Sequence, residues 1–490
     1  MLRLLPPSVL IAFCLLLGAC GASDDGARNV VLIGSTETLF GKGLRISSDA
    51  QHLRGATVDG LVSLNDEGQV IPGLAERWIV TDDGRSYIFR LVDRNWPDGT
   101  PLSSETARDA LRQTLRSLKD TSLGLDLAKV EEVRAMAGRV VEIRLFSPMP
   151  QFLTLLAQPE LGLFHKGQGS GQMTLERRED TAVLTPTPPE NRGFPAERGW
   201  RARVRALHVV AVPAGDAVAR FKNGDTDIVL GGQIEDLPMA NTGPLSRGTV
   251  RMDAVLGLFG LHVMRAEGVM AEPELREALA MAIDREAMVQ PFNLRGWVAA
   301  TRIVPPGLGS KAEGQTERWT GLAMEDRRAE AARRVQGWRA AHDNTEAAVS
   351  IAMPQGPGAD IVFDRLRADL EAIGIVARRK PLNDKAQLRL VDRVARIAEA
   401  RWFLNQFHCR LRQGLCSAAA DERAAEAVLA DDLSGQIKLL AEAEAELLEI
   451  QAYIPFGAPL RWSLVRGNVA GYAPNRLGFH PLPPLALLPR

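Results

Sequence analysis

The stretch from Ile71 to Leu102 leaves the chain little choice but an antiparallel meander. Tyr87, Phe89 and Leu91 alternate with Ser86, Ile88 and Arg90, which puts the bulky side chains on one face of a half-buried strand. Asp83-Gly84 and Asp98-Gly99 stand at either end, supplying the positive backbone angles that tight turns need. Trp78 precedes the first corner and Trp96-Pro97 opens the second. Taken alone, this segment holds no chemistry and suggests only a sheet.

Around it lies a chain of 490 residues, 46% hydrophobic and 24% charged, with a formal net charge of -1. That composition suits an ordinary globular protein of several domains. The near-neutral balance argues against a nucleic-acid partner, which calls for a basic excess. After the first twenty positions no apolar run reaches the roughly eighteen residues of a membrane span.

The N-terminus is different. Arg3, the apolar run Val9 to Leu17 and a small-residue exit describe a secretory signal over residues 1–19. Leu17-Gly18-Ala19-Cys20 resembles the bacterial lipobox, whose cysteine is acylated. Cys20 is therefore the expected lipid anchor, with residues 20–28 as a tether; a plain signal cut near Ala19 or Ala22 is the alternative. Acyl chains would hold the protein on an envelope membrane at roughly 0.8 kcal/mol per buried methylene. Gly21 leaves open which membrane. Of the other cysteines, Cys14 leaves with the signal, and Cys409 and Cys416 are expected to pair in a compartment that permits disulfides. Free thiols, or a metal site with His408, are the alternatives. Two cysteines and one histidine do not complete a zinc set.

Downstream, Asn29 to Gly34 reads as an apolar strand. Thr36 and Glu37 at its end are candidate ligand contacts, because open α/β sheets bind ligands past strand termini; a solvated loop is the competing reading. Val140 to Leu145 is a strand, and Thr185 to Pro195 a linker. Val204 to Val212, Ala217 to Phe221 and Thr226 to Leu230 form a strand–helix–strand unit that implies parallel pairing. Helices are expected over Glu274–Ile283, Arg327–Ala341, Ile361–Ile373 and, in two pieces, Ala424–Glu449, with a strand at Ala348–Met353. Gly167 to Gly171 lacks the last glycine of a dinucleotide fingerprint and the lysine of a phosphate loop, and reads as a loop. No HExxH pair or Gly-x-Ser-x-Gly elbow occurs, so no catalytic residue, metal or cofactor is expected.

Several words now stand in order. Pro72-Gly73-Leu74-Ala75-Glu76-Arg77-Trp78, Asp82-Asp83-Gly84, Trp96 to Leu102, Phe221 to Asp227, Glu274 to Leu279 with Ala282-Ile283-Asp284-Arg285, Leu370 to Ile375, and Asn468 to Tyr472 together resemble the extracellular solute-binding proteins of oligopeptide, dipeptide and nickel ABC importers, the large three-domain class. The resemblance implies an α/β, periplasmic-binding-protein-like fold: two lobes with a hinge and an extra inserted domain. The expected boundaries are 29–47, 190–255 and 466–490 for the first lobe, 48–189 for the inserted domain and linker, and 256–465 for the second lobe. It implies a periplasmic monomer that encloses a peptide or peptide-like solute between its lobes. Its partners would be an ABC permease and ATPase. A scaffold or signalling lipoprotein without a transporter, and a nickel or metal-complex binder, are the alternatives.

The chain departs from that family near Trp402. Peptide binders carry an Asp there for the ligand's amino group; here Arg396 stands close to its place, and Glu399 is the candidate substitute, with an exposed helix acid as the competing reading. Trp402 and Asn405 are candidate cleft residues, as are Arg461 and Trp462, a cation and a flat face suited to a carboxylate or ring.

Overall fold

The computed structural model describes residues 26–43, 46–241, 248–294, 296–308 and 318–488. The signal, Cys20 and most of the tether lie outside these residues. Among the described residues no helix is long and apolar enough to cross a membrane.

Two sheets carry the architecture. The first has seven strands in the order Val250–Asp253, Arg461–Val465, Ile228–Gly232, Arg28–Ile33, Leu207–Val212, Thr181–Pro186 and Met173–Arg178. Its centre, Arg28–Ile33, runs parallel to both neighbours. The crossover helix Ala214–Asn223 joins Leu207–Val212 to Ile228–Gly232 and ends on Gly224, whose φ of 89° closes the helix in the left-handed region. This is the strand–helix–strand unit expected from sequence. Its middle strands are buried on both faces, as parallel strands covered by helices must be. The second sheet is mixed, in the order Val376–Pro381, Ala348–Met353, Leu388–Val394, Gly257–Val263 and Tyr453–Gly457.

Between the two sheets the chain crosses through two short segments, 254–256 and 458–460. Both are flanked by glycines that tolerate no side chain. A β-carbon on Gly257 would collide with the Arg393 carbonyl, and one on Gly457 with Trp297 and the Val298 carbonyl.

Three stretches lie elsewhere than expected. Met173–Arg178 and Thr181–Pro186, assigned to the inserted domain, form a hairpin that extends the first sheet. Thr181–Pro186 buries Ala182, Val183 and Leu184 there, and an apolar strand of that kind needs a sheet to cover it. Arg461–Val465, assigned to the second lobe, pairs with Ile228–Gly232 and Val250–Asp253 of the first. The helix Ser48–Thr57 places Leu53 and Ala56 in the first sheet's core.

The inserted domain is built on the four-stranded antiparallel sheet Ala75–Val80, Ser86–Leu91, Val140–Leu145 and Val130–Ala135. Tyr87, Phe89 and Leu91 point inward, and Gly84 and Gly99 take φ of 65° and 85° at the corners. Asp83 Oδ1 accepts from the Thr81 hydroxyl at 2.6 Å and the Arg85 N–H at 3.0 Å. Trp96 is buried and donates its indole N–H to Thr106 Oγ1 at 3.0 Å. The core of this domain does not stop at its edge. It runs into Ala395, Ile397, Trp402, Phe403, Phe407 and Tyr453 of the second lobe as one apolar cluster.

Removing a fully buried ring from this cluster costs about 3–5 kcal/mol. Phe89→Ala should therefore shift a urea denaturation midpoint far more than Ile79→Ala, whose side chain lies 66% exposed on the same sheet. Equal shifts would refute the assigned facing.

Candidate functional site: the interlobe cleft

A cleft of about 470 Å³ opens where the two sheets and the inserted domain meet, within the range of small-ligand sites. The first sheet contributes Gly231, Gln233 and Arg461; the helix Ser48–Thr57 adds Ser48 and Gln51. The inserted domain contributes Thr121, Ser122, Gln158 and Glu160. The second lobe contributes Arg393 to Arg396, Trp402 and Gln406. Its walls are therefore largely polar, with three arginines and one glutamate.

Arg461 donates to Asp392 Oδ1 at 2.6 Å across the two sheets, and both side chains are largely buried. Burial pushes the Asp392 carboxyl up, and Arg461 opposes the shift. Nearby Glu235 is pushed up to about 7, first by burial and then by the charge of Asp392. Asp126, beneath the floor on the inserted domain, is also driven up to about 7 by burial, against the opposing pull of Arg396. Its Oδ1 accepts from Asn405 Nδ2 at 2.8 Å. Glu160 Oε1 accepts from Gln51 Nε2 at 3.3 Å.

The residues singled out from sequence fall in different places. Trp402 and Arg461 line the cleft. Trp462 does not: it is buried under the first sheet, with its indole N–H on the Gln233 carbonyl at 2.8 Å. Successive strand residues face opposite ways, so Arg461 and Trp462 cannot share one surface. Asn405 is buried against Asp126. Glu399 precedes the helix Ala400–Asn405 without a side-chain capping bond, and burial raises its carboxyl against the opposing charges of Lys129 and Arg401. Thr36 and the exposed Glu37 begin a short helix closed by a Ser35–Thr38 capping box, away from the cleft lining. Cys409 and Cys416 are bonded, with 5.2 Å between their Cα atoms. The loop they close carries Leu411 and Gln413 to the cleft edge. His408 Nδ1 accepts from the Arg410 N–H at 3.1 Å.

Sequence reasoning passed over Gln51, Glu160, Arg393 and Gln406. Only Glu160 left a trace, as the lone acid in the otherwise apolar run from Phe152 to Leu163, broken by few polar residues. A larger cavity of about 840 Å³ lies behind the crossing segments, walled by Val255, Leu256, Trp297, Ile303 and Pro459. Its charged side chains are engaged within the protein, Asp253 with His480 at 2.9 Å and Arg302 with Glu444 at 2.8 Å. The polar cleft is the better ligand site.

Residues 69–407 match the model for bacterial extracellular solute-binding proteins, family 5 (middle region). The chain belongs to this family. A 121-residue stretch is 33% identical to the probable deoxycholate-binding periplasmic protein YgiS of Escherichia coli K12, covering 21% of this chain and 23% of that one. Over 289 residues this family-5 chain is 25% identical to the periplasmic murein peptide-binding protein MppA of the same strain, covering 50% and 51%. The matched part thus spans about half or less of these two relatives. The fold is that of Haemophilus influenzae OppA in complex with RPPGFSPFR, with a TM-score of 0.78 at 18% identity over 95% of this chain and 100% of that one.

The raised Asp126 carboxyl makes a pH prediction. A folded-state value above the unfolded one gives stability that is complete below about pH 4 and lost as pH rises through about 7. Asp126→Asn should gain stability relative to the parent between pH 5 and 8, measured by chemical denaturation across that window. A relative loss over the same window would mean that the neighbouring arginines outweigh burial.

Proposed function

We propose that this family-5 protein is a lipid-anchored envelope receptor that delivers a peptide or peptide-like solute to an ABC permease and ATPase. It acts as a periplasmic monomer, and ligand favours closure by touching both lobes. The observation that carries this reading is the polar cleft between two sheets joined by two short crossing segments. A body divided in this way can hinge, and a ligand in the cleft touches Gln233 and Arg461 on one side and Arg396 and Gln406 on the other. The likeness to the murein peptide-binding protein MppA and to OppA in complex with RPPGFSPFR supports a peptide-like ligand. Peptides held largely through their backbones would leave the side-chain pockets roomy.

Binding to the native state stabilises it by RT ln(1 + [L]/Kd), about 2.7 kcal/mol at a hundredfold excess over Kd. A mixed tripeptide pool should raise the melting temperature and lower the radius of gyration in solution scattering. No change in either with peptides would exclude the peptide receptor and favour a scaffold role. The anchor has its own test: Cys20→Ala should move the protein from the membrane fraction to the soluble periplasm. A variant that still sediments with membrane would refute the anchor.

A further inference from the structure

Resting on the reading of the cleft as the ligand site, we propose that the ligand is held there by a carboxylate on Arg396, and that the chain selects an acidic end over an ammonium end. Arg396 follows the strand Leu388–Val394 directly, and its backbone is fixed by the neighbouring Ala395 N–H on the Leu256 carbonyl at 2.7 Å. Its side chain is 24% exposed in the cleft wall. Some of this chain's partly buried arginine–carboxylate pairs are tight, with Arg461–Asp392 at 2.6 Å, Arg318–Glu277 at 2.7 Å and Arg302–Glu444 at 2.8 Å. Others are long, with Arg94 and Arg192 at 3.7 and 3.9 Å from the buried Asp59. Arg396 is of the long kind, but it stands in the cleft wall. Its nearest carboxylate oxygens are Glu160 Oε1 at 3.7 Å and Asp126 Oδ2 at 3.8 Å, and it reaches Ser122 Oγ at 3.4 Å. A guanidinium carries five donors in a planar fork made for bidentate oxyanion binding. Here most of that capacity is left for something else.

The two acids flank Arg396 at ion-pair distance without a direct hydrogen bond to it. Asp126 Oδ1 is taken by Asn405 and Glu160 Oε1 by Gln51. Lys129, Arg393 and Arg401 add positive charge around the same end, against Glu399. Burial moves Asp126 and Glu399 toward their neutral forms, and it lowers Lys129 and Arg401 as well. Trp402, on the same wall, is buried, and its indole N–H has no protein acceptor. Glu160 Oε2 and Asp126 Oδ2 also lack partners among the described residues, as an ammonium site would require. An ammonium there would have to share both acids with Arg396, whose guanidinium nitrogens lie 3.7 and 3.8 Å from them, and would be repelled by it.

The test uses the mature chain and three pools of mixed-sequence tripeptides that differ only at their ends: N-acetylated with a free carboxylate, amidated with a free ammonium, and with both ends free. Calorimetric titration should show binding of the first and third pools and little of the second. Arg396→Gln should weaken the acid-only pool about tenfold or more, the loss of one charge-assisted pair, with Arg396→Lys intermediate because it keeps the charge and loses the fork. Should Arg396→Gln fold poorly, the lysine variant alone carries the comparison. Tighter binding of the amine-only pool, or acid-only binding indifferent to both substitutions, overturns the carboxylate anchor and leaves the peptide receptor standing. Failure of all three pools to bind the parent chain removes both.

Discussion

The structure depends on one continuous apolar core shared by the inserted domain and the second lobe. Phe89, Phe152 and Leu161 on one side meet Trp402, Phe403 and Phe407 on the other, with no water-filled seam required between them. Buried hydrogen bonds rivet the junction: Ser147 Oγ to the Val428 carbonyl at 2.6 Å, Arg401 to the Leu125 carbonyl at 2.7 Å, and Lys129 Nζ to Gln436 at 2.6 Å. Breaking that contact would expose large rings and strand buried polar groups together. The inserted domain and the second lobe therefore behave as one body. The cleft is the space left between that body and the first sheet.

This arrangement explains the electrostatics of the site. Charges at its floor are buried because the core beneath them is closed. Asp126 is driven toward neutrality by that burial, and Asp392 needs Arg461 from the opposite sheet. The Arg461–Asp392 contact joins the two sheets beside the crossing segments. Arg396 stands farther in, with only long contacts.

Much of the fold was legible because local patterns decide it. The alternation of Tyr87, Phe89 and Leu91, the strands Val140–Leu145 and Ala348–Met353, and the crossover helix ending at Gly224 all follow from period and turn chemistry. The site was less legible, because its residues are defined by what they meet across the fold. Asn405 looks like a cleft residue until Asp126, 279 positions away, claims it. Trp462 and Arg461 were read together although adjacent strand residues must part company. The hairpin Met173–Pro186 was assigned by its position in the chain, when only its partner strand, Leu207–Val212, reveals where it belongs.

The bond between Cys409 and Cys416 lies seven positions apart in sequence and encloses Leu411 and Gln413, two residues of the cleft edge. Its place in the fold couples the shape of the cleft edge to the redox state of those two cysteines. A copy retained in a reducing cytoplasm would have the same two sheets and the same core, but one lip of its mouth would be untethered. In a compartment that oxidises thiols, closing that bond would be the last step in shaping the cleft edge.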